Sequence, residues 1–198
     1  MFVDIFTAFY GAVHLYLPAQ KILKYKKNTA VFLNQNRDCI LIFYGCSLTV
    51  PVFIFGGIFM YILKTEAAFD SAHFLSGYNG KCSNLHGHRW VISAEIASEK
   101  LVASGQLRGM VTDFGDIKRD LKNLADEFDH AFIYEKGSLK SATVAALNEE
   151  NFRLIEVDFR PTAENFAEYF YNRLSEIGYT VSSVTVYETP NNAATFTL

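Results

Sequence analysis

Residues 39–63 form a run of 25 residues that contains no charged side chain. A stretch of roughly 20 apolar residues is long enough to cross a lipid bilayer as a helix. Residues 1–20 are also largely apolar, although Asp4 and His14 interrupt them. The chain therefore divides into an apolar leader, residues 1–59, and a more polar remainder, residues 60–198, which is long enough to bury a core of its own.

The charges that flank the apolar run bear on what the leader does. Five basic residues precede the run: Lys21, Lys24, Lys26, Lys27 and Arg37. The positive-inside rule would keep this flank in the cytosol and export everything after residue 63. Three interpretations are open: a membrane anchor, a buried part of a soluble fold, or upstream sequence read from a start placed too early, with Met60 as the natural start. We favour the last.

Composition excludes several classes of protein. Half of the residues are hydrophobic and 15% are aromatic, so the chain is not disordered. The net charge of −3 gives no basic bias that would indicate nucleic-acid binding. The three cysteines, Cys39, Cys46 and Cys82, are scattered and form no CxxC pair, which indicates neither a disulfide framework nor a zinc finger. Reduced thiols are typical of the cytosol, and we expect a cytoplasmic protein, with membrane association only if residues 39–63 are a transmembrane helix.

Residues 60–198 show alternating strand and helix patterns. Residues 161–177 make the clearest helix, because Thr162 is a good N-cap, apolar residues recur at helical spacing, and Gly178 is a stop signal. Two further helices are predicted at residues 116–128 and 139–149. Strands are predicted at residues 61–69, 88–97, 109–114, 153–159, 180–188 and 194–198. This order favours an α+β domain with a mainly antiparallel sheet.

Three of the five histidines in the chain lie within 16 residues: His73, His86 and His88. His86 and His88 can share one face of a strand, because alternate side chains point the same way. His73, at the end of the neighbouring strand, could supply a third nitrogen. Three imidazoles with one open position are typical of a catalytic zinc site, although nickel, copper and iron remain open. An HxH pair alone is weak evidence, since such histidines are more often structural.

Four other residues are candidates for chemistry, and each has an ordinary structural alternative. Cys82 precedes His86 by four residues and could accept a proton, or it could be an inert buried thiol. Asp129 and His130 are adjacent, and adjacent residues rarely face each other, so we do not expect a self-contained pair; His130 could still pass protons. Glu188 ends a strand and could accept two hydrogen bonds from an amino-pyrimidine edge, or it could be a solvated residue at the sheet rim.

Six stretches occur together and in order between about Met60 and Phe196: FDSAHFL, GKCSNLHGH, GMVTDFGDIK, FDHAFIY, RPTAENFAEYFYNRL and VYETPNNAA. They resemble the 6-pyruvoyl-tetrahydropterin synthase family, and within it the branch of 6-carboxytetrahydropterin synthases that serves queuosine biosynthesis. The resemblance implies the tunnelling fold (T-fold), in which a four-stranded antiparallel sheet carries two long helices on one face. It also implies homo-oligomeric barrels with sites between neighbouring subunits.

The resemblance further implies roles for individual residues. His73, His86 and His88 would hold Zn²⁺, and Cys82 would be the general base. Asp129 and His130 match a proton-relay pair. Glu188 matches the carboxylate that anchors the pterin ring and is also assigned to the relay. Thr162 is a weaker candidate for pterin contact.

The activity implied by the resemblance is that of a zinc-dependent lyase. It would convert 7,8-dihydroneopterin triphosphate to 6-carboxytetrahydropterin, acetaldehyde and triphosphate, without direct contact with nucleic acid. Two alternatives remain: a 6-pyruvoyl-tetrahydropterin synthase, and a non-catalytic, membrane-anchored pterin-binding protein. Two features depart from the family pattern, namely the leader and a longer stretch from about Glu135 to Phe159.

Overall fold

The computed structural model describes residues 22–25, 29–33, 40–44 and 60–197. The chain separates into two compact units, Met1–Phe59 and Met60–Leu198. The first contains three short strands, β1 (Ile22–Tyr25), β2 (Thr29–Leu33) and β3 (Ile40–Tyr44), in an antiparallel sheet of that order. Most of the predicted transmembrane span, residues 39–63, lies outside the described residues. Among the residues that are described, none belongs to a helix long and apolar enough to cross a membrane.

The second unit contains six strands and three α-helices. The chain runs through β4 (Tyr61–His73), β5 (His86–Ser98), α1 (Phe114–Asp126), β6 (Ala131–Glu135), α2 (Ser141–Glu149), β7 (Leu154–Val157), α3 (Ala163–Ile177), β8 (Val181–Thr189) and β9 (Asn192–Thr197). The strands form one sheet in the order β7-β6-β4-β5-β8-β9. The β4–β5, β5–β8 and β8–β9 pairs are antiparallel, whereas β6 is parallel to both β4 and β7.

The central pair, β4 and β5, sets which side chains face the core. Phe69 lies opposite Trp90, and both are almost fully buried. Because side chains alternate along a strand, His73 lies on the same face as Phe69, four residues further along. His73 in turn lies opposite His86. The histidines therefore continue the row of core residues to the end of the sheet.

Helices α1 and α3 cover this face. Their buried residues, which include Ile117, Leu121, Phe166 and Phe170, join one core with Phe69 and with buried residues of β5 and β8. Each helix begins at a side-chain cap: Asp113 accepts a hydrogen bond from the Gly115 amide, and Thr162 accepts one from the Asn165 amide. Helix α3 ends at Gly178, whose φ of 112° is a left-handed conformation that favours glycine.

The α+β architecture and all three helices agree with the sequence prediction, but the sheet does not agree in detail. The strand predicted at residues 109–114 is wrong. Gly109, with φ of 83°, lies in a turn, and the Asp113 cap starts α1 at Phe114. Strand β6 was missed, because AFIYE is a short run directly after a helix. Adding β6 and β7 makes a mixed six-stranded sheet in place of the four-stranded antiparallel sheet implied by the resemblance.

Phe166 is the residue on which the packing between helix and sheet depends most. It is fully buried, and its ring lies 5.7 Å from that of Phe69 and 5.1 Å from that of Trp90. Replacing a buried phenylalanine with alanine typically costs about 3–5 kcal/mol, because the cavity it leaves is only partly refilled. We expect Phe166→Ala to lower the free energy of unfolding by that amount in a denaturant titration. The matched control is Phe114→Ala, which removes a ring that is 49% exposed and should cost far less; equal losses in the two variants would contradict this account.

Candidate active site

Three imidazoles meet at the end of the β4–β5 pair. His73 lies opposite His86, and Ser71 lies opposite His88, so the three histidine rings share one face of the sheet. The ring centroids of His73 and His86 are 4.4 Å apart, and those of His73 and His88 are 5.2 Å apart. The structure therefore brings together the three histidines singled out in the sequence.

Glu188, near the end of β8, adds a carboxylate to the three rings. Its Oε1 lies 3.4 Å from His73 Nε2 and 3.4 Å from His88 Nε2. One ligand atom from each of His73, His86, His88 and Glu188 lies within 4.8 Å of all the others. The sequence prediction assigned this glutamate to a ring-anchoring role, whereas the structure places its carboxylate directly beside the imidazole nitrogens.

Backbone carbonyls orient two of the imidazoles. His73 Nδ1 donates to the Pro161 carbonyl at 2.8 Å, and His86 Nδ1 donates to the Asn84 carbonyl at 2.8 Å. A carbonyl only accepts, so the proton lies on Nδ1 and the lone pair on Nε2. Both Nε2 atoms are buried and have no hydrogen-bond partner among the described residues. Buried polar atoms normally find a partner, and a bound metal ion would be one for both.

Burial keeps two of these rings uncharged. The His73 side chain is fully buried, and desolvation lowers its pKa to about 4, with further lowering by His86 and His88. Desolvation also lowers the pKa of His88, against an opposing effect of Glu188. A histidine whose pKa is lowered is neutral at pH 7, and only a neutral imidazole can donate a lone pair to a metal.

The four residues could hold a metal ion. Three imidazole nitrogens suit zinc as well as nickel, copper or iron, and with the three imidazoles as ligands a tetrahedral site keeps one position open for a substrate. The Nδ1 hydrogen bonds to carbonyls are the outer contacts that metal-bound histidines usually make. This cluster is therefore suited to binding a metal ion. Its ligand types, its two Nε2 atoms without hydrogen bonds and its neutral rings all support that interpretation.

Cys82 lies in the loop between β4 and β5, within a short 3-10 helix, Lys81–Ser83. Its side chain is half-buried and forms no disulfide within the part of the chain that the structure describes, and its carbonyl accepts a hydrogen bond from the Leu75 amide at 2.8 Å. The thiol does not belong to the group of four ligand atoms. The hydrogen bond between Leu75 and Cys82 therefore holds this loop just before His86 and His88 of β5.

Asp129 and His130 contact each other directly, which contradicts the expectation that adjacent residues would not pair. His130 Nδ1 lies 2.8 Å from Asp129 Oδ2. His130 has a positive φ of 52°, which turns the backbone enough for the two side chains to meet. Hydrogen bonds from the Asp70 amide and then from His130 lower the pKa of Asp129. The carboxylate is thus ionised at neutral pH and can orient the imidazole.

A cavity of about 930 Å³ borders both His88 and His130. One wall comes from β4, β5 and β6, and the opposite wall includes Leu139, Leu147 and Phe152, from α2 and the segments that flank it. Side chains of α2 and of its flanking segments therefore line the same cavity as His88 and His130. A small molecule in this cavity could reach both.

Some functional contacts gave no signal in the sequence. Pro161 and Asn84 act through backbone carbonyls, so their side-chain identities reveal nothing. Thr162, predicted to contact the ligand, uses its hydroxyl to cap α3, and the preceding carbonyl orients His73. Only the β4–β5 register and the start of α3 bring these groups to the imidazoles.

Comparison with known proteins identifies the family of this chain. A sequence model of the family described as 6-pyruvoyl tetrahydropterin synthase matches residues 62–198. A Haemophilus influenzae protein named 6-carboxy-5,6,7,8-tetrahydropterin synthase is 39% identical over 136 residues, which are 67% of this chain and 96% of that protein. A Synechocystis protein of the same name is 33% identical over 128 residues, covering 60% of this chain and 99% of that protein.

Solved structures show the same fold. The 6-pyruvoyl tetrahydropterin synthase of Caenorhabditis elegans matches with a TM-score of 0.51 at 24% identity, covering 71% of this chain and 97% of that one. The corresponding Plasmodium vivax enzyme matches with a TM-score of 0.53 at 23% identity, covering 69% and 96%. The predicted α+β tunnelling fold is thus confirmed. Because the family model matches residues 62–198, more than half of its length, the chain belongs to the 6-pyruvoyl tetrahydropterin synthase family.

Proposed function

We propose that this protein is a zinc-dependent lyase that converts 7,8-dihydroneopterin triphosphate to 6-carboxytetrahydropterin, acetaldehyde and triphosphate, as a step of queuosine (7-deazaguanine) biosynthesis. The observation that carries the proposal is the cluster of His73, His86, His88 and Glu188, with its two buried Nε2 atoms free of hydrogen bonds. The names of the Haemophilus influenzae and Synechocystis relatives support the 6-carboxy branch.

His73, His86 and His88 would hold the zinc ion, with the Glu188 carboxylate beside them. Bound zinc would polarise the side-chain oxygens of the substrate and so make the neighbouring C–H protons more acidic. Glu188 is 29% exposed at its side chain, so a pterin ring can reach it from solvent without opening the core. An ionised carboxylate there can accept two hydrogen bonds from the ring and hold it still.

Proton transfer would fall to three further residues. We assign the role of general base to Cys82 and that of relay to Asp129 and His130. The relay is supported by the 2.8 Å contact between His130 Nδ1 and Asp129 Oδ2, because a fixed carboxylate sets which imidazole nitrogen carries the proton. The Nε2 of His130 is then the nitrogen available for exchange with a reacting group.

The working enzyme would be a cytoplasmic homo-oligomer whose catalytic unit is residues 60–198. Exposed apolar side chains, including Leu85 at 61% and Phe152 at 59%, offer surface for contact between subunits. A reactive thiol such as that of Cys82 is best kept in a reducing compartment. The separation of the chain at Phe59 supports a catalytic unit that does not need the leader.

The test is product analysis. The full chain and a chain beginning at Met60 are loaded with zinc and incubated with 7,8-dihydroneopterin triphosphate. Acetaldehyde and 6-carboxytetrahydropterin are expected from both, at equal specific activity. A product that keeps its side-chain carbons would indicate a 6-pyruvoyl synthase, and binding without turnover would indicate a non-catalytic pterin-binding protein. Activity that sediments with membranes only in the full chain would make residues 1–59 an anchor.

The first prediction concerns the metal. We expect about one zinc ion per chain, and we expect His86→Ala to lose most of it, because the site then has one nitrogen fewer. Elemental analysis after dialysis measures the zinc content. The control is His130→Ala, whose ring lies outside the four-residue group and whose zinc content should be unchanged. Full zinc occupancy in a His86→Ala, His88→Ala double variant would refute the assignment.

The second prediction concerns the base. Cys82→Ala should fold and retain its zinc, but kcat should fall by roughly 10²–10⁴-fold, the usual contribution of a positioned proton-transfer group. The variant is compared with the wild type for zinc content, thermal unfolding and steady-state turnover. A kcat within a factor of two of the wild type would rule Cys82 out as the base.

The third prediction separates ring anchoring from metal binding at Glu188. Glu188→Gln should weaken binding of a pterin product by roughly tenfold or more, because a neutral amide cannot form the same charge-assisted pair of hydrogen bonds. Ligand titration is performed on protein whose zinc content has been measured, so that metal loss is not mistaken for ligand loss. Glu66→Gln, a change on the exposed part of β4, should bind pterin normally. Unchanged affinity in Glu188→Gln would return Glu188 to a solvated residue at the sheet rim.

A further inference from the structure

At the end of helix α1, the Phe128 amide donates to the Ala125 carbonyl at 3.0 Å, and the Asp129 amide donates to the Asp126 carbonyl at 3.4 Å. The last turn of α1 contains no basic residue, and its C-cap, Glu127, has an ordinary right-handed conformation rather than the left-handed one that glycine often supplies. The last carbonyls of a helix have no partner inside the helix and carry a partial negative charge. A cationic donor from elsewhere in the chain is therefore favoured at this end.

Arg153, just before β7, supplies that donor. Its Nη2 donates to the Glu127 carbonyl at 2.8 Å and to the Asp126 carbonyl at 3.3 Å. Its Nη1 donates to the Asp129 carbonyl at 2.9 Å. One guanidinium thus joins the end of α1 to the residue before His130.

The backbone of Arg153 holds the other side of His130. The Arg153 carbonyl accepts a hydrogen bond from the Phe132 amide at 2.8 Å, where β6 and β7 begin to pair. The Arg153 side chain therefore binds the residue just before His130, and the Arg153 main chain binds the second residue after His130. Within this short stretch, the arginine fixes the backbone on both sides of the histidine.

His130 needs such support. Its positive φ of 52° is an uncommon conformation for a residue other than glycine, and it persists only where neighbouring contacts hold it. The His130 ring is 80% exposed, so core packing does not hold it. Its amide donates to the Asp70 carbonyl at 2.7 Å, and the Asp70 amide donates to Asp129 Oδ1 at 2.9 Å. The direction of the ring consequently depends on the backbone.

We propose that Arg153 is a positioning residue, which holds the Asp129–His130 backbone so that the His130 imidazole faces the cavity. The proposal rests on the proposed function, in which His130 relays protons. Arg153 and His130 both line that cavity. Arg153 would thereby contribute to catalysis without touching the reacting atoms.

A lysine cannot replace this arginine. The guanidinium is a planar fork of five donors and reaches three carbonyls from one position, whereas an ammonium is a compact charge on a flexible stem. Arg153→Lys therefore keeps the positive charge beside the helix end but loses the geometry. Arg153→Ala loses both.

The experiment compares Arg153→Lys, Arg153→Ala and Arg119→Lys with the wild type, all as full-length, zinc-loaded protein. Arg119 is the matched control. It is an arginine on α1, and it binds Asp116 and Asp120 rather than the carbonyls at the end of that helix. Amide hydrogen exchange at His130 and Phe132 reports the backbone directly and does not depend on any activity. Steady-state kinetics report kcat and KM, and guanidinium ion is added to Arg153→Ala to test for chemical rescue.

Both Arg153 variants should exchange the His130 amide about tenfold faster or more, because hydrogen bonds from a charged donor are lost. We expect kcat to fall roughly tenfold to 100-fold, the scale of a small displacement of a catalytic group, with KM and zinc content unchanged. Arg119→Lys should match the wild type in both measurements. Partial recovery of kcat in Arg153→Ala on addition of guanidinium would support the role further.

Unchanged exchange at His130 in both Arg153 variants would overturn the proposal. Faster exchange with normal kcat, when His130→Ala lowers kcat, would also overturn it, since the ring would then not depend on the arginine. If the wild type itself has no turnover, the proposed function fails separately. The exchange data alone then decide whether Arg153 holds this backbone.

Discussion

The long antiparallel pairing of β4 with β5 is the constraint on which the rest of the structure depends. Its register runs from Tyr61 opposite Ser98 to His73 opposite His86 without a break. Since side chains alternate, a slip of one residue would turn the histidines and the core residues to the opposite face together. The same register therefore builds the core around Phe69 and the imidazole cluster at its end.

This shared register couples the stability of the core to the chemistry of the site. The His73 ring lies 4.9 Å from that of Trp90, so the apolar core desolvates one side of the cluster. Desolvation keeps the imidazole neutral, and the Pro161 carbonyl at the start of α3 directs its free lone pair away from the core. Packing of α3 against the sheet thus places an acceptor where the metal-type cluster needs one, and a fault in that packing would disturb both.

The sequence predicted most of the helices and strands because their patterns are local. Residues 161–177 contain a cap, an apolar stripe and a stop glycine, and α3 spans Ala163–Ile177. The pattern failed where a turn or a distant partner decides the structure. Residues 109–114 were predicted as a strand, yet the glycine turn and the Asp113 cap prevent it. β6 forms because β4 and β7 offer parallel partners, and the sequence of residues 131–135 by itself does not predict this pairing.

Two kinds of information determine the candidate site. The sequence alone determined which side chains are available, since three histidines, Cys82, Asp129–His130 and Glu188 are a matter of residue identity and spacing. Only the tertiary structure decided how they meet, because hydrogen bonds between distant strands set which atoms come within reach. It placed the Glu188 carboxylate between two imidazoles, folded His130 back onto Asp129, and brought Arg153 to the end of α1 across 26 residues of chain. The sequence specifies the identity of each side chain. The proximity of residues that are far apart in sequence comes instead from the register of the sheet and from the packing of the helices on it.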